Sequence, residues 1–346
     1  MKYVFSLVTL VIVSLTFISC GSSSQSVSQK KSNVNDSLQI LHTFSIQSEE
    51  KIYSVAHYLS KQWLLAISDT TLMVYDARDG KFVKKIGKVA QPGTLKVNGG
   101  LLFFLDKGQE IVQSILLPNF ETSGIIAPGR LKKPVDMTIF ASDGNKTSYY
   151  ISHLGDTTKE NSPKISAGAS YFALNETSED MGVPPLGETN GPGVIYKPGA
   201  IEVDPTTAQI AVVEESVYPN ILKFFDFNGQ YDASVRMNFT PTGSIPDLNL
   251  YYCPEIKGYW LVAQNTELGG KRASVTFIDR LTYENKGEIT FQDVDEIRSM
   301  CLVQSRLGTN IGGMLFIVDA KGAVYGYPWE SIKNALKLTH FCEINR

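Results

Sequence analysis

Val74-Tyr75-Asp76-Ala77-Arg78-Asp79-Gly80-Lys81-Phe82-Val83 holds the pattern that decides the fold: a short apolar strand ends on an aspartate, passes through Asp-Gly and starts another strand. Asp-Gly and Asn-Gly favour hairpins because both residues tolerate positive φ. The unit returns as Phe224-Phe225-Asp226, which runs through Asn228-Gly229 into Gln230-Tyr231, and Thr276-Phe277-Ile278-Asp279 leads similarly to Gly287. Asp226 and Asp279 lie about fifty residues apart, and Asp76 precedes Asp226 by about three such steps, a period expected of four-stranded propeller blades.

Working outward, short runs rich in β-branched, aromatic and leucine residues recur from Trp63–Ile67 to Met314–Val318, bounded by Gly, Asn, Asp and Pro. About 300 residues at about fifty per blade give six blades. The predicted fold is all-β, a six-bladed β-propeller over residues 41–346. Helical periodicity enters only at the end, where Pro328 opens a segment with Ile332 and Leu336 four residues apart and predicts one short C-terminal helix. Residues 157–198, rich in Gly, Pro, Ser, Thr and Glu around one strand at Ala169–Leu174, read as a long surface loop between blades, rimming a binding face.

Residues 1–19 read as a signal peptide: Lys2 supplies the charge, and the apolar run Val4–Ile18 is short for a membrane span. Phe17-Ile18-Ser19-Cys20-Gly21 resembles a bacterial lipobox, which implies lipidation of Cys20; a plain secretory signal or an anchor helix are the alternatives. Residues 20–40 read as a flexible tether, because the Ser, Gln, Asn and Lys composition from Gly21 to Asp36 cannot offset its ordering entropy. These features imply a lipid-anchored protein of the bacterial cell envelope, periplasmic or at the cell surface, with membrane lipid as its partner through Cys20.

A formal charge of -3 without a basic stripe argues against nucleic acid as a partner. Beyond Cys20, Cys253, Cys301 and Cys342 allow at most one disulfide, with the pairing open. His42, His57, His153 and His340 are too dispersed to suggest a metal cluster or a Ser-His-Asp triad. Acidic residues gather instead at strand ends in Val213-Glu214-Glu215, Pro246-Asp247-Leu248-Asn249 and Asp293-Val294-Asp295-Glu296-Ile297, an arrangement suited to a ring of strands around a cation. Each also has a plain reading, as a solvated strand end, a turn aspartate or a polar edge.

Pro246-Asp247-Leu248-Asn249-Leu250-Tyr251-Tyr252, followed by Lys257-Gly258-Tyr259-Trp260-Leu261-Val262-Ala263, resembles the bacterial β-propeller phytases, which read PDIEGLTIYY and then GKGYLIAS. Asp293-Val294-Asp295-Glu296-Ile297 stands where that family has DTDGI, and Ala211-Val212-Val213-Glu214-Glu215 is similar to its YIAEED. Gly313–Val318 and Tyr327–Ile332 follow its GLFVAQD and VPWERI, so the resemblance covers Ile201 to Leu336. It implies calcium as cofactor, with Glu214, Glu215, Asp247, Asp293 and Asp295 as metal ligands. It also implies a metal-bridged water attacking a phosphate of inositol hexakisphosphate.

The departures are specific. Asn249 replaces a family glutamate, Glu296 a glycine and Arg298 an aspartate, and no DDP or NVDIR-like segment precedes them. They favour a phytase-like propeller lipoprotein with a degenerate catalytic site and a ligand-binding or scaffold role, its partner a phosphorylated small molecule or an envelope protein. The alternative is a calcium-dependent phosphomonoesterase of the 3-phytase type. An NHL-type binding propeller is a third reading, from Pro198–Pro205 leading to Asn220-Ile221.

Overall fold

The structure is a computed structural model that describes residues 38–88, 91–126, 132–142, 146–155, 167–173, 186–188, 190–216, 220–237, 243–253, 257–266, 272–339 and 342. The signal peptide, Cys20 and the tether as far as residue 37 lie outside the described residues.

Two short strands open the described chain, β1 (Leu38–Ile40) and β2 (Phe44–Ile46). The first blade is β3 (Ile52–Tyr58), β4 (Trp63–Ser68), β5 (Thr71–Asp76) and β6 (Phe82–Lys88). The second is β7 (Pro92–Asn98), β8 (Leu101–Asp106), β9 (Ile111–Leu116) and β10 (Glu121–Ile126). The third has β11 (Pro134–Ser142), β12 (Lys146–His153) and β13 (Gly168–Ala173) among the described residues. The fourth is β14 (Pro198–Asp204), β15 (Gln209–Glu214), β16 (Ile221–Asp226) and β17 (Tyr231–Arg236). The fifth is β18 (Leu248–Tyr252), β19 (Gly258–Thr266), β20 (Arg272–Asp279) and β21 (Asn285–Phe291). The sixth has β22 (Ile297–Val303), β23 (Met314–Asp319) and β24 (Val324–Pro328), followed by the helix α1 (Trp329–Leu336). This is the six-bladed propeller with one C-terminal helix that the repeat predicts.

The N-terminal strands finish the last two blades. β2 pairs antiparallel with β24 as the outer strand of blade six, and β1 adds parallel to β21 on blade five. The expected tether therefore ends sooner than residue 40, because the Leu38–Ile40 backbone finds partners on an otherwise open edge. The long loop expected over 157–198 is also partly blade. β13 is the third strand of blade three, and Leu186 bridges Ala169 on its outer side.

Middle strands are covered on both faces by neighbouring blades, so they read as unbroken apolar runs, whereas the outer strand β17 alternates with every second residue exposed. Their side chains form one apolar cluster at each of the six blade junctions. Blade one, for example, sends Leu65, Ile67 and Val74 toward Leu102 and Phe104 of blade two, and sends Leu64, Ala66 and Met73 toward Phe316 and Val318 of blade six.

The repeated aspartates prove to be turn residues. Asp76 Oδ1 accepts the Arg78 N–H at 2.9 Å, Asp226 Oδ1 those of Asn228 at 2.9 Å and Gln230 at 2.8 Å, and Asp279 Oδ1 that of Thr282 at 2.9 Å. All three end the third strand of their blades. The turns differ from the expected two-residue hairpins: each has one residue at positive φ, Gly80 (φ 74), Gly229 (φ 80) and Tyr283 (φ 57), and the aspartate side chain satisfies the widened turn.

The disulfide is Cys253–Cys342, with Cα atoms 5.5 Å apart and a sequence separation of 89, which leaves Cys301 free. The pair ties the chain after α1 to the end of β18. Beside it the Tyr251 hydroxyl accepts the Cys342 N–H at 2.7 Å, and the Trp329 ring stacks on Tyr251 at 3.9 Å. Closing a loop of about 90 residues restricts the unfolded chain by an amount worth about 4–5 kcal/mol. Cys342→Ser should lower the unfolding free energy in urea by about that much and keep the β-sheet circular dichroism; an unchanged midpoint would show that the crosslink constrains nothing.

Candidate functional site

The first strands of the blades pack in a ring: β3 against β7, then β11, β14, β18, β22 and back to β3. Each pairs on one side with the second strand of its blade, so its other edge faces the axis with N–H groups still to be satisfied. Side chains from the preceding blade meet several of them. Ser54 Oγ accepts the Leu95 N–H at 3.1 Å, Asp136 Oδ2 that of Ile201 at 2.9 Å, Asp247 Oδ2 that of Met300 at 2.6 Å and Asn249 Oδ1 that of Leu302 at 3.2 Å. Thr94 donates to Asp136, and Ser299 and Ser54 share a hydrogen bond at 3.3 Å.

The junction of blades four and five is clamped at the far ends of its strands. There Arg280, fully buried, pairs with Asp204, donates to Thr206, and reaches the carbonyls of Cys253 at 3.3 Å and Lys257 at 3.0 Å.

One step further along the axis, Lys96 from β7 crosses to Glu202 of β14, with Nζ to Oε2 3.0 Å. Glu202 also accepts from the Thr138 hydroxyl and, at 3.0 Å, from the Val203 N–H. Cavities lie on either side of these layers. A small one of 180 Å³ at the strand starts is lined by all six blades, including Tyr53, Lys107, Asp136, Glu215, Asp247 and Arg298. A larger one of 750 Å³ at the other end is also lined by all six, including His57, Asn98, Phe140, Glu202, Tyr252 and Gln304.

Of the five expected metal ligands, Asp247 and Glu215 reach the small mouth together. Burial pushes the Asp247 carboxyl up to about 7; the Lys96 ammonium opposes that rise and the Asp136 charge adds to it. Glu215 pairs with Lys197 at 3.1 Å. Glu214 is buried and accepts the N–H groups of Tyr196 at 2.7 Å, Lys197 at 3.1 Å and Ser216 at 2.8 Å. Burial works against its charge, but those bonds outweigh it and hold its pKa below the ordinary glutamate value. Asp293 pairs with His42 at 2.8 Å, and Asp295 with Lys321 at 3.2 Å.

The five therefore do not assemble into one donor set and do not fit a calcium centre as they stand, since calcium needs six to eight converging oxygens. Among the described residues no group of three or more His, Cys, Asp or Glu is placed to hold a metal. Arg298, which stands where the phytases have an aspartate, lies over the Tyr53 ring at 4.3 Å.

Reasoning from sequence missed Asp136, Glu202 and Lys96. Asp136 carried a usable signal: Pro134-Val135-Asp136 opens an inner strand as Pro246-Asp247 does, and aligning the blades would have paired them. Lys96 and Glu202 had none, being separated by 106 positions.

Comparison with known proteins bears on the fold. No protein-family model matches the chain, and no curated protein matches it either. Hydrazine synthase of Kuenenia stuttgartiensis is similar in structure, with a TM-score of 0.53 and 15% identity over 79% of this chain and 75% of that one. The likeness shows a propeller. It shows no function: at this identity only the fold is shared, and 937 chains of solved structures match it.

Buried His153 ends β12 opposite Pro134, with Nε2 2.8 Å from Ser170 Oγ, and burial pushes its pKa down to about 4. Between pH 6.5 and 4 the unfolded chain takes up a proton that the folded chain refuses, so stability falls as the pH falls, by about 3 kcal/mol over the window. His153→Gln should reduce the pH dependence of the urea midpoint across that range, leaving the share of buried His57, whose pKa burial also pushes down to about 4. An equal slope in both proteins would mean that His153 titrates normally in the folded state.

Proposed function

We propose that this chain is a binding propeller of the bacterial envelope, anchored through an acylated Cys20, which takes a small molecule into its axial cavity and does not hydrolyse phosphate esters. The observation that carries the reading is the 750 Å³ cavity at the end of the axis, to which all six blades contribute. That size falls in the range of about 300–1,000 Å³ typical of ligand sites. Its lining is mixed: Val97, Ile139, Phe140, Leu250 and Leu302 give apolar surface, and Asn98, Thr206 and Gln304 give polar groups.

Three features weigh against hydrolysis. Glu214, Asp293 and Asp295 are occupied by other partners. Asn249 spends its amide on the Leu248 carbonyl at 2.8 Å and the Leu302 N–H. Asp136 and Asp247 line the small mouth and Glu202 the large cavity, acidic groups that repel a polyanion such as inositol hexakisphosphate. The five-patch resemblance favours the calcium-dependent phosphomonoesterase, and experiment separates the two readings.

Purified protein with millimolar calcium should release no phosphate from inositol hexakisphosphate, and should bind 1-anilinonaphthalene-8-sulfonate with one-to-one stoichiometry while keeping its near-ultraviolet circular dichroism. Asn98→Trp, which fills the cavity, should weaken that binding at least about tenfold, or about 1.4 kcal/mol. Calcium-dependent phosphate release, lost in Asp295→Asn, would establish the phosphatase instead. For the anchor, Cys20→Ser should move the protein from the membrane fraction to the soluble one; an uncleaved, membrane-bound mutant would point to a signal-anchor helix.

A further inference from the structure

We propose that the ammonium of Lys96 is the resident cation of the channel, standing where a bound cation would otherwise be needed to balance Asp136, Glu202 and Asp247. The geometry is unusual for an ion pair. Lys96 lies on the inner strand of blade two and Glu202 on that of blade four, so the side chain passes blade three to make its 3.0 Å contact. The ammonium is thereby carried toward the axis, with one-fifth of the lysine side chain exposed and one-seventh of the glutamate's.

The three carboxylates come from blades three, four and five. All are held by neutral donors: Asp136 by Thr94 and the Ile201 N–H, Glu202 by Thr138 and the Val203 N–H, and Asp247 by the Leu248 and Met300 N–H groups. Asp136 and Asp247 line the small mouth and Glu202 the large cavity. Neutral donors solvate a charge but do not cancel it, and buried carboxylates on one axis are stabilised by a cation between them. Arg280 is committed to Asp204, and Arg298 to the Tyr53 ring and the Ala320 carbonyl. Lys107 at the small mouth feels the Asp136 charge, but Lys96 is the cation that feels all three and makes a direct 3.0 Å pair with one of them. Burial opposes its charge, yet Glu202, Asp247 and Asp136 together outweigh burial and raise its pKa above the ordinary lysine value.

A covalently supplied ammonium has a consequence for chemistry. It satisfies the carboxylates without metal and closes the axis to divalent ions, so the ligand class the emptied site would accept is a small primary ammonium, matching the shape and charge of the side chain it lost.

Chemical rescue tests this. Lys96→Ala should lower the Tm by at least about 5 °C, because it strands Glu202 without its partner. Ethylammonium chloride at about 50–100 mM should restore a large part of the loss, since a ligand of the folded state stabilises it by mass action, and equal ionic strengths of sodium or tetramethylammonium chloride should not. Lys96→Met/Glu202→Gln, which removes both charges, should be more stable than Lys96→Met alone, and it keeps the test open if Lys96→Ala fails to fold. The proposal is overturned by a Lys96→Ala protein as stable as the parent, by rescue no better with ethylammonium than with sodium, by a double variant no more stable than Lys96→Met, or by millimolar calcium raising the Tm of the unmodified protein.

Discussion

Six inner strands each offer one unpaired edge to a common axis, and the backbone N–H groups along those edges must be satisfied in a space too narrow for free water everywhere. Side chains of the preceding blade meet that demand: Ser54, Asp136, Asp247 and Asn249 each reach across a junction to the next strand's backbone. The solution sets the angular spacing of the blades as firmly as the apolar packing does, because a hydrogen bond fixes a distance where apolar contact tolerates sliding. It also places acidic groups on the axis, and these then require Lys96. The polar character of the channel is thus in the first place a property of ring closure.

The apolar clusters and the N-terminal strands complete the same task at larger radius. Each middle strand feeds two junctions, since alternate residues face opposite blades. β2 closes blade six with residues from the start of the described chain, and the Cys253–Cys342 bond pins the segment after α1 to blade five. Both ends of the described chain are therefore tied into the ring at its closing blades, where a propeller would otherwise open.

The acidic stretches that drew attention in sequence divide by role. Glu214 holds the backbone of residues 196, 197 and 216, and Asp76, Asp226 and Asp279 cap turns. Asp247 and Glu215 reach the small mouth of the channel, and Asp247 also serves a backbone partner. A carboxylate at a strand end suits a metal and a turn equally well, since both ask for exposed oxygens at a point where the backbone leaves its ladder.

The blade count, the strand runs, the turn aspartates at matching positions of blades one, four and five, and the closing helix were all legible in the sequence, because they depend on residues within one hairpin or one turn of each other. Tyr251, Tyr259 and Trp260 are buried blade core, whereas Tyr252 beside them is half-buried at the large cavity. The channel was not legible. Lys96 meets Glu202, Ser54 meets Leu95 and Asp293 meets His42 across separations of 106, 41 and 251 residues. The cysteine pairing too waited on three dimensions, since Cys253, Cys301 and Cys342 were equivalent by spacing. Local patterns report the period of a strand and the chemistry of a turn; which carboxylate faces the axis, and which cation answers it, depends on how six separately legible blades close into one ring.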